Sequence, residues 1–304
     1  LAGTLDRVAS EGFEILYSGE LAEAITRAMN ESGPVWGESD LSDYEIRVRK
    51  PLRAEIAGVR LATTGPPSRG GVGMVHALKA LEDVSLDPAE RSLFLLKEVE
   101  RIFCAMTPVI GDPDLLEMNL DLSGSGSAPP SGGGTSHFTI IDRAGTIVTM
   151  SQTIGHFFGS TVMVPGTGIL LNNDISDMER SPGLPNSIGP SKRPVANMAP
   201  TILFSEGRTI ALGSPGSLRI FPALTCVLDR LLYQKMGLEE AIRAPRVHWE
   251  EGRAFVEGDF SSEVFDQITQ KFPGPVVKRR VQDLFFGGVH AVEWTVSNAL
   301  LGVA

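Results

Sequence analysis

Residues 123–134 contain only Ser, Gly, Ala and Pro, a composition that cannot bury enough apolar surface to pack. Directly after them comes Thr135-Ser136-His137-Phe138-Thr139-Ile140-Ile141, then Asp142-Arg143-Ala144-Gly145, then Thr146-Ile147-Val148-Thr149-Met150. Two β-prone runs around a Gly-containing turn predict a β-hairpin. The chain therefore passes from linker to rigid strand within a residue or two, and Thr135 stands at the junction. A hydroxyl there is a potential nucleophile if a base lies beside it. Cleavage of the Gly134–Thr135 bond would make the freed α-amine of Thr135 that base. The ordinary alternative is a surface linker entering a strand, and this stretch alone favours it.

The rest of the chain alternates helices and strands without repeats or a second low-complexity break, which reads as mixed α and β. Helices are predicted over Leu1–Gly12, Gly19–Gly33, the stretch ending near Leu81, the run after Asp87-Pro88, Leu218–Lys235, Leu238–Ala244 and Ser261–Phe272. Strands are predicted at Tyr44–Val48, Glu55–Ala62, Thr201–Phe204, Thr209–Leu212, Val276–Val281 and Val289–Val296. Pro66-Pro67-Ser68-Arg69-Gly70-Gly71 lacks the Lys and Ser/Thr of a phosphate-binding loop and reads as a packing turn. Gly213-Ser214-Pro215-Gly216-Ser217 runs into a helix, where backbone N–H groups and the helix dipole favour developing negative charge. Asn172-Asn173-Asp174 and Asp177 close a short strand and are able to aim several side chains into one cleft.

Composition narrows the function. A net charge of -10 argues against nucleic acid, which needs a basic surface. No apolar run approaches a membrane span. Leu1–Asp6 lacks the basic start and apolar core of a signal peptide. The two cysteines sit in apolar helical contexts and read as buried thiols, and the five histidines show no metal-ligand spacing, so no metal or cofactor is expected.

Taken in order, Gly134-Thr135-Ser136-His137-Phe138, Gly168-Ile169-Leu170-Leu171-Asn172-Asn173, Gly189-Pro190-Ser191-Lys192-Arg193-Pro194 and Gly213-Ser214-Pro215-Gly216 resemble the signatures of the γ-glutamyltranspeptidases, which are N-terminal-nucleophile (Ntn) hydrolases. Pro66–Gly71 and Ala244-Pro245-Arg246 resemble them too, so the resemblance spans the chain. It implies an α+β fold, a four-layer αββα sandwich. It also implies self-cleavage between Gly134 and Thr135 into a large and a small subunit. Residues 1–134 would be the C-terminal portion of the large subunit and 135–304 the small one, together forming one domain. Thr135 would then attack a γ-glutamyl amide of a small molecule or peptide, and water or an amino-acid or peptide acceptor would release the acyl group.

The same resemblance suggests further roles. Thr153 would hydrogen-bond the nucleophile, and the Gly216 and Ser217 N–H groups would hold the oxyanion. Asp177 would grip the donor's α-ammonium, with Asp174 at a position where the family has Gln or Glu, and Asn173 beside them. Ala196-Asn197 stands where a Ser-Ser pair binds the α-carboxylate, Gly155 where an Asn is expected, and Ser217 where a Gly is. The family's carboxylate-binding Arg falls in a region before Leu1. Pro182–Pro194 is too short for a lid, so larger acyl donors would fit. An acylase of different acyl specificity and a processing-defective scaffold are the alternatives these departures raise. The resemblance also implies an exported protein. It gives His137 no catalytic role, which leaves a strand histidine satisfied by hydrogen bonds.

Overall fold

The computed structural model describes residues 1–33, 36–37, 39–82, 84–126, 133–297 and 299–304; stretch 127–132, half of the Gly/Ser linker, lies outside them. The chain divides into two compact units, Leu1–Arg49 with Ile154–Asp174, and Lys50–Thr153 with Ile175–Ala304.

In the first unit, α1 (Ala2–Glu11), α2 (Glu20–Glu31) and α3 (Ser39–Ser42) accompany a two-residue ribbon, Met163–Val164 against Ile169–Leu170. The apolar stripe of α2 explains its helix: Leu21, Ala22, Ile25 and Ala28 recur at helical spacing and are buried. Ile25 and Ala28 pack with Val164, and the Thr4 hydroxyl donates to the Thr167 carbonyl at 2.7 Å. Stretch 44–48, expected as a strand, has no regular structure.

The second unit is built on a six-stranded, wholly antiparallel sheet. Its strands are β1 (Leu52–Ile56), β2 (Val59–Thr63), β5 (Thr201–Ser205), β6 (Arg208–Gly213), β10 (His290–Thr295) and β11 (Leu300–Val303), adjacent in that order. The expected single strand Glu55–Ala62 is instead the bend of the β1–β2 hairpin. Ala57 and Gly58 both take positive φ there, +50° and +75°, the signature of a tight hairpin turn.

One face of this sheet meets helices α4 (Arg69–Ala80), α5 (Pro88–Met106) and α6 (Ile220–Leu232). Asp87 caps α5 by accepting from the N–H groups of Ala89 and Glu90 at 2.9 Å, with Pro88 at the first helical position. Every residue of α6 is buried, including Asp229, which pairs with Arg91, and Arg230, which donates to the Ala241 and Ala244 carbonyls. Behind α5 lie α8 (Ser262–Lys271) and a small sheet of β7 (Val247–Glu250), β8 (Arg253–Val256) and β9 (Val276–Lys278), with α7 (Leu238–Arg243) preceding it.

The other face carries the expected hairpin, β3 (Thr135–Ile141) and β4 (Ile147–Thr153), paired over its whole length from Thr135↔Thr153 to Ile141↔Ile147. It packs over β6 and β10, and the Gly145 turn lies against the Trp294 ring with no room for a Cβ. Helices, six-stranded sheet and hairpin stack in the α-β-β order found within the Ntn-hydrolase αββα sandwich, an α+β fold. Phe138, Ile140, Val148 and Met150 form an exposed apolar row on the outer face of β3–β4. Cys104 and Cys226 are free thiols, half-buried and buried. Among the described residues, no helix is long and apolar enough to cross a membrane.

Candidate active site

Side chains alternate across a strand, so β3 and β4 present Thr135, His137, Thr139 and Thr149, Ser151, Thr153 on one face. That face turns inward onto β6 and β10. Its polar groups are matched along the ladder: His137 Nδ1 lies 2.9 Å from Ser151 Oγ and Nε2 lies 3.1 Å from Thr139 Oγ1, which is 3.1 Å from Thr149 Oγ1. His290 Nδ1 donates to the His137 carbonyl at 3.1 Å. Thr135 and Thr153 stand opposite each other at the open end of this ladder. His137 is thus a strand histidine satisfied by hydroxyl partners.

Burial, with a smaller push from His290, lowers His137 to about pKa 4, so it is neutral at pH 7. The sign of the pH dependence follows. An unfolded histidine has its ordinary value near 6.5, so as the pH falls the unfolded chain takes up the proton first. The stabilisation is complete above about pH 6.5 and is lost toward pH 4, by up to about 1.4 kcal/mol per pH unit. Burial pushes His248 and His76 the same way. We expect urea midpoints to fall between about pH 7 and about pH 5, and His137→Gln to flatten that fall; equal slopes in the two proteins would refute it.

The ribbon is seated by Gly213, the last residue of β6. A Cβ there would overlap the His137 ring, so only glycine lets the imidazole close onto the sheet. The chain then turns through Ser214 and Pro215 to Gly216 (φ +130°) and Ser217 (φ +54°). Two successive residues at positive φ make a sharp turn, closed by the Arg219 N–H donating to the Gly216 carbonyl at 3.0 Å. The expected helix over Leu218–Lys235 begins later than the sequence suggested. Ser217–Arg219 is a 3₁₀ turn, and α6 runs only Ile220–Leu232.

Arg219 pairs with Glu250 at 3.3 Å and lies 4.7 Å over the Phe285 ring. A Cβ built on Gly133 would fall 3.7 Å from its Nη2. The chain thus passes Arg219 just before Thr135 and crosses Gly213 two residues after it, which places Thr135 alongside the 213–219 turn. Behind that turn, Gly287 approaches Gly216, and Arg246 donates to the Phe286 and Gly287 carbonyls while paired with buried Glu257. The Ala244-Pro245-Arg246 signature therefore holds up the rear of the turn.

The remaining site residues separate by unit. In the first, Asn173 is engaged by His156: its Oδ1 accepts the His156 N–H at 2.8 Å and its Nδ2 lies 2.8 Å from the ring Nδ1. Its Oδ1 also fills the space where a Gly155 Cβ would stand, so Gly155 is a packing requirement of this turn. Asp174–Asp177 is one 3₁₀ turn at the covalent join of the units. In the second unit, Asp177 offers its carbonyl to Asn186 Nδ2 at 2.7 Å, and Asn186 Oδ1 accepts the Val195 N–H at 3.1 Å, next to Ala196-Asn197. Fully buried Asn186 went unnoticed in the sequence because it lies within the Pro/Gly-rich Pro182–Pro194 stretch.

The packing turn Pro66–Gly71 docks on the same segment. Arg69 donates its N–H to the Ala196 carbonyl at 2.7 Å, and Ala196 donates to Pro67 at 3.1 Å. Comparison with known proteins gives the family. The Gamma-glutamyltranspeptidase family model matches residues 1–128 and 117–304. The chain belongs to that family.

Among curated relatives of the family, the Acylase ACY 1 proenzyme of Pseudomonas sp. (strain V22) is 32% identical over 100% of this chain and 58% of its own length. The Glutathione hydrolase proenzyme of Pseudomonas sp. (strain A14) is 27% identical over 94% of this chain and 58% of its own. The chain thus spans a little over half the length of these relatives. A solved cephalosporin acylase from Bacillus halodurans superposes with a TM-score of 0.86 at 20% identity, over 99% of this chain and 59% of that one, a likeness of fold.

Proposed function

We propose that the chain carries the amide-cleaving centre of a self-processing γ-glutamyl hydrolase or transferase, with Thr135 as nucleophile. The observation that carries this is the placement of Thr135: it heads an inward-facing polar strand, opposite Thr153 and beside the positive-φ turn at Gly216-Ser217. In this reading, cleavage after Gly134 frees the α-amine of Thr135 and divides the chain into two associated subunits. That amine takes the hydroxyl proton as Oγ attacks the amide carbon. The Gly216 and Ser217 N–H groups hold the oxyanion, and Thr153 steadies the hydroxyl. The proton passes to the leaving amine as the C–N bond breaks, leaving an ester on Thr135. Water or an acceptor amine then attacks the ester.

Asp177 would bind the donor's α-ammonium. Ala196-Asn197 would line the side that meets its carboxylate. A second reading, an acylase for donors without the α-amine, is favoured by Ala196, which brings no hydroxyl to a carboxylate, and by the similarity to Acylase ACY 1. Matched γ-glutamyl and glutaryl anilides, differing only in that amine, separate the two. Loss of a charged hydrogen bond of about 1.5–3 kcal/mol corresponds to roughly 10- to 100-fold in kcat/KM in favour of the γ-glutamyl compound. Preference for the glutaryl compound would establish the acylase reading instead.

A further inference from the structure

Arg69 is the most deeply buried cation near the candidate donor pocket, 2% exposed at the start of α4. Its Nε and Nη2 have no hydrogen-bond partner. Nη2 lies 3.7 Å from Glu179 Oε1, itself buried and without a hydrogen bond. A buried guanidinium with open N–H groups is costly, and only an opposing carboxylate makes it tolerable. Burial disfavours its charge, while Glu179 and then Asp177 favour it.

The two ends of this residue touch the two segments proposed to grip the donor. The Arg69 backbone holds Ala196, and a Cβ on the next residue, Gly70, would overlap the Asn197 carbonyl, so the contact is close. The Arg69 side chain faces Glu179, two residues beyond Asp177. Glu179 also pairs through its backbone with the region of Asn186, donating to the Asn186 carbonyl at 2.9 Å and accepting from Ile188 at 3.2 Å.

We propose that Arg69 is a positioning residue for acyl-donor recognition, a charged strut between the Asp177–Glu179 segment and Ala196-Asn197. This rests on the donor pocket proposed above. The chemistry is local: without the cation, the covered Glu179 Oε1 loses the charge that faces it, and its segment is no longer held toward the end of Arg69 that binds Ala196. Arg69 itself is covered, so it acts on the substrate only through those segments.

The test compares Arg69→Met, Arg69→Lys, Glu179→Met and the Arg69→Met/Glu179→Met double variant. Arg69→Met should raise KM for a γ-glutamyl anilide about tenfold, the equivalent of about 1.4 kcal/mol, with kcat within about threefold. Arg69→Lys should recover part of the loss. The double variant, in which neither charge is left alone, should lie closer to wild type than either single variant. Amide hydrogen exchange reads the strut without substrate: protection over 177–188 and 195–198 should fall about tenfold in Arg69→Met and return in the double variant. Unchanged exchange in Arg69→Met, or a kcat loss with KM unaltered, overturns the inference. If wild type cleaves no γ-glutamyl anilide, the donor reading fails by itself, and the exchange experiment still decides the strut.

Discussion

Replacing Thr135 by Ala is expected to leave a single full-length chain and to remove amide cleavage. The hydroxyl is the only proposed acyl acceptor, and the amine that would activate it is never freed without cleavage. Loss of a nucleophile lowers kcat on the order of 10³-fold or more. Intact mass under denaturing conditions, wild type beside Thr135→Ala, measures the first effect. Wild type should give two fragments meeting at Gly134 and Thr135. Thr135→Ser keeps an oxygen at the same place on the inner face of β3 and should process, more slowly. Equal anilide turnover by wild type and Thr135→Ala would remove Thr135 from the mechanism.

The second large effect is expected at Gly213→Ala. Its Cβ would occupy the His137 ring position, and the ring cannot swing aside without leaving Ser151 and Thr139. Overpacking costs about 1–3 kcal/mol, and orphaning the buried imidazole adds about 1–3 kcal/mol more. Because His137 lies two residues from Thr135 on the same face, self-cleavage should slow along with the loss of stability. A Gly213→Ala/His137→Gly pair restores the space and should recover processing and much of the melting temperature. Failure of the double variant to recover would show that Gly213 matters for another reason, such as the entry into the 214–217 turn. Thermal melting and intact mass on the same samples decide between these outcomes.

The hairpin and the helices were legible in the sequence because periodicity, caps and turn residues agreed: Asp87-Pro88 began α5, and Asp142–Gly145 joined β3 to β4. The orientation of that hairpin was not. Its apolar residues, Phe138, Ile140, Val148 and Met150, point outward, and its hydroxyls and imidazole face the six-stranded sheet. Alternation tells which residues share a face and not which face is covered. The pairing of the polar face, hydroxyl to imidazole to hydroxyl, is what makes its burial tolerable, and no local pattern announces it.

Strands β7, β8 and β11 were missed: four residues each, they carry too little alternation to register unless a longer β-prone run surrounds them, as Val276–Val281 surrounds β9. The family signatures singled out Thr135, Gly216 and Asp177 as candidates. They did not disclose how Asn186 and Arg246 support those positions, since a buried amide and a buried ion pair depend on residues distant in sequence.

Thr135 and Ser136 are neighbours that both carry a hydroxyl, and they face opposite sides of β3. Which of them meets the 213–219 turn is decided by hairpin register alone, because a slip of one residue exchanges the faces. That register is set at the Asp142–Gly145 bend, where Asp142 Oδ1 accepts from the Ala144 and Thr146 N–H groups at 2.8 Å and Gly145 is wedged under Trp294. At about 3.4 Å per residue, the bend lies roughly 20 Å from Thr135. The ribbon therefore works like an indexed key: the notch that selects which tooth reaches the lock is cut at the end held furthest from it.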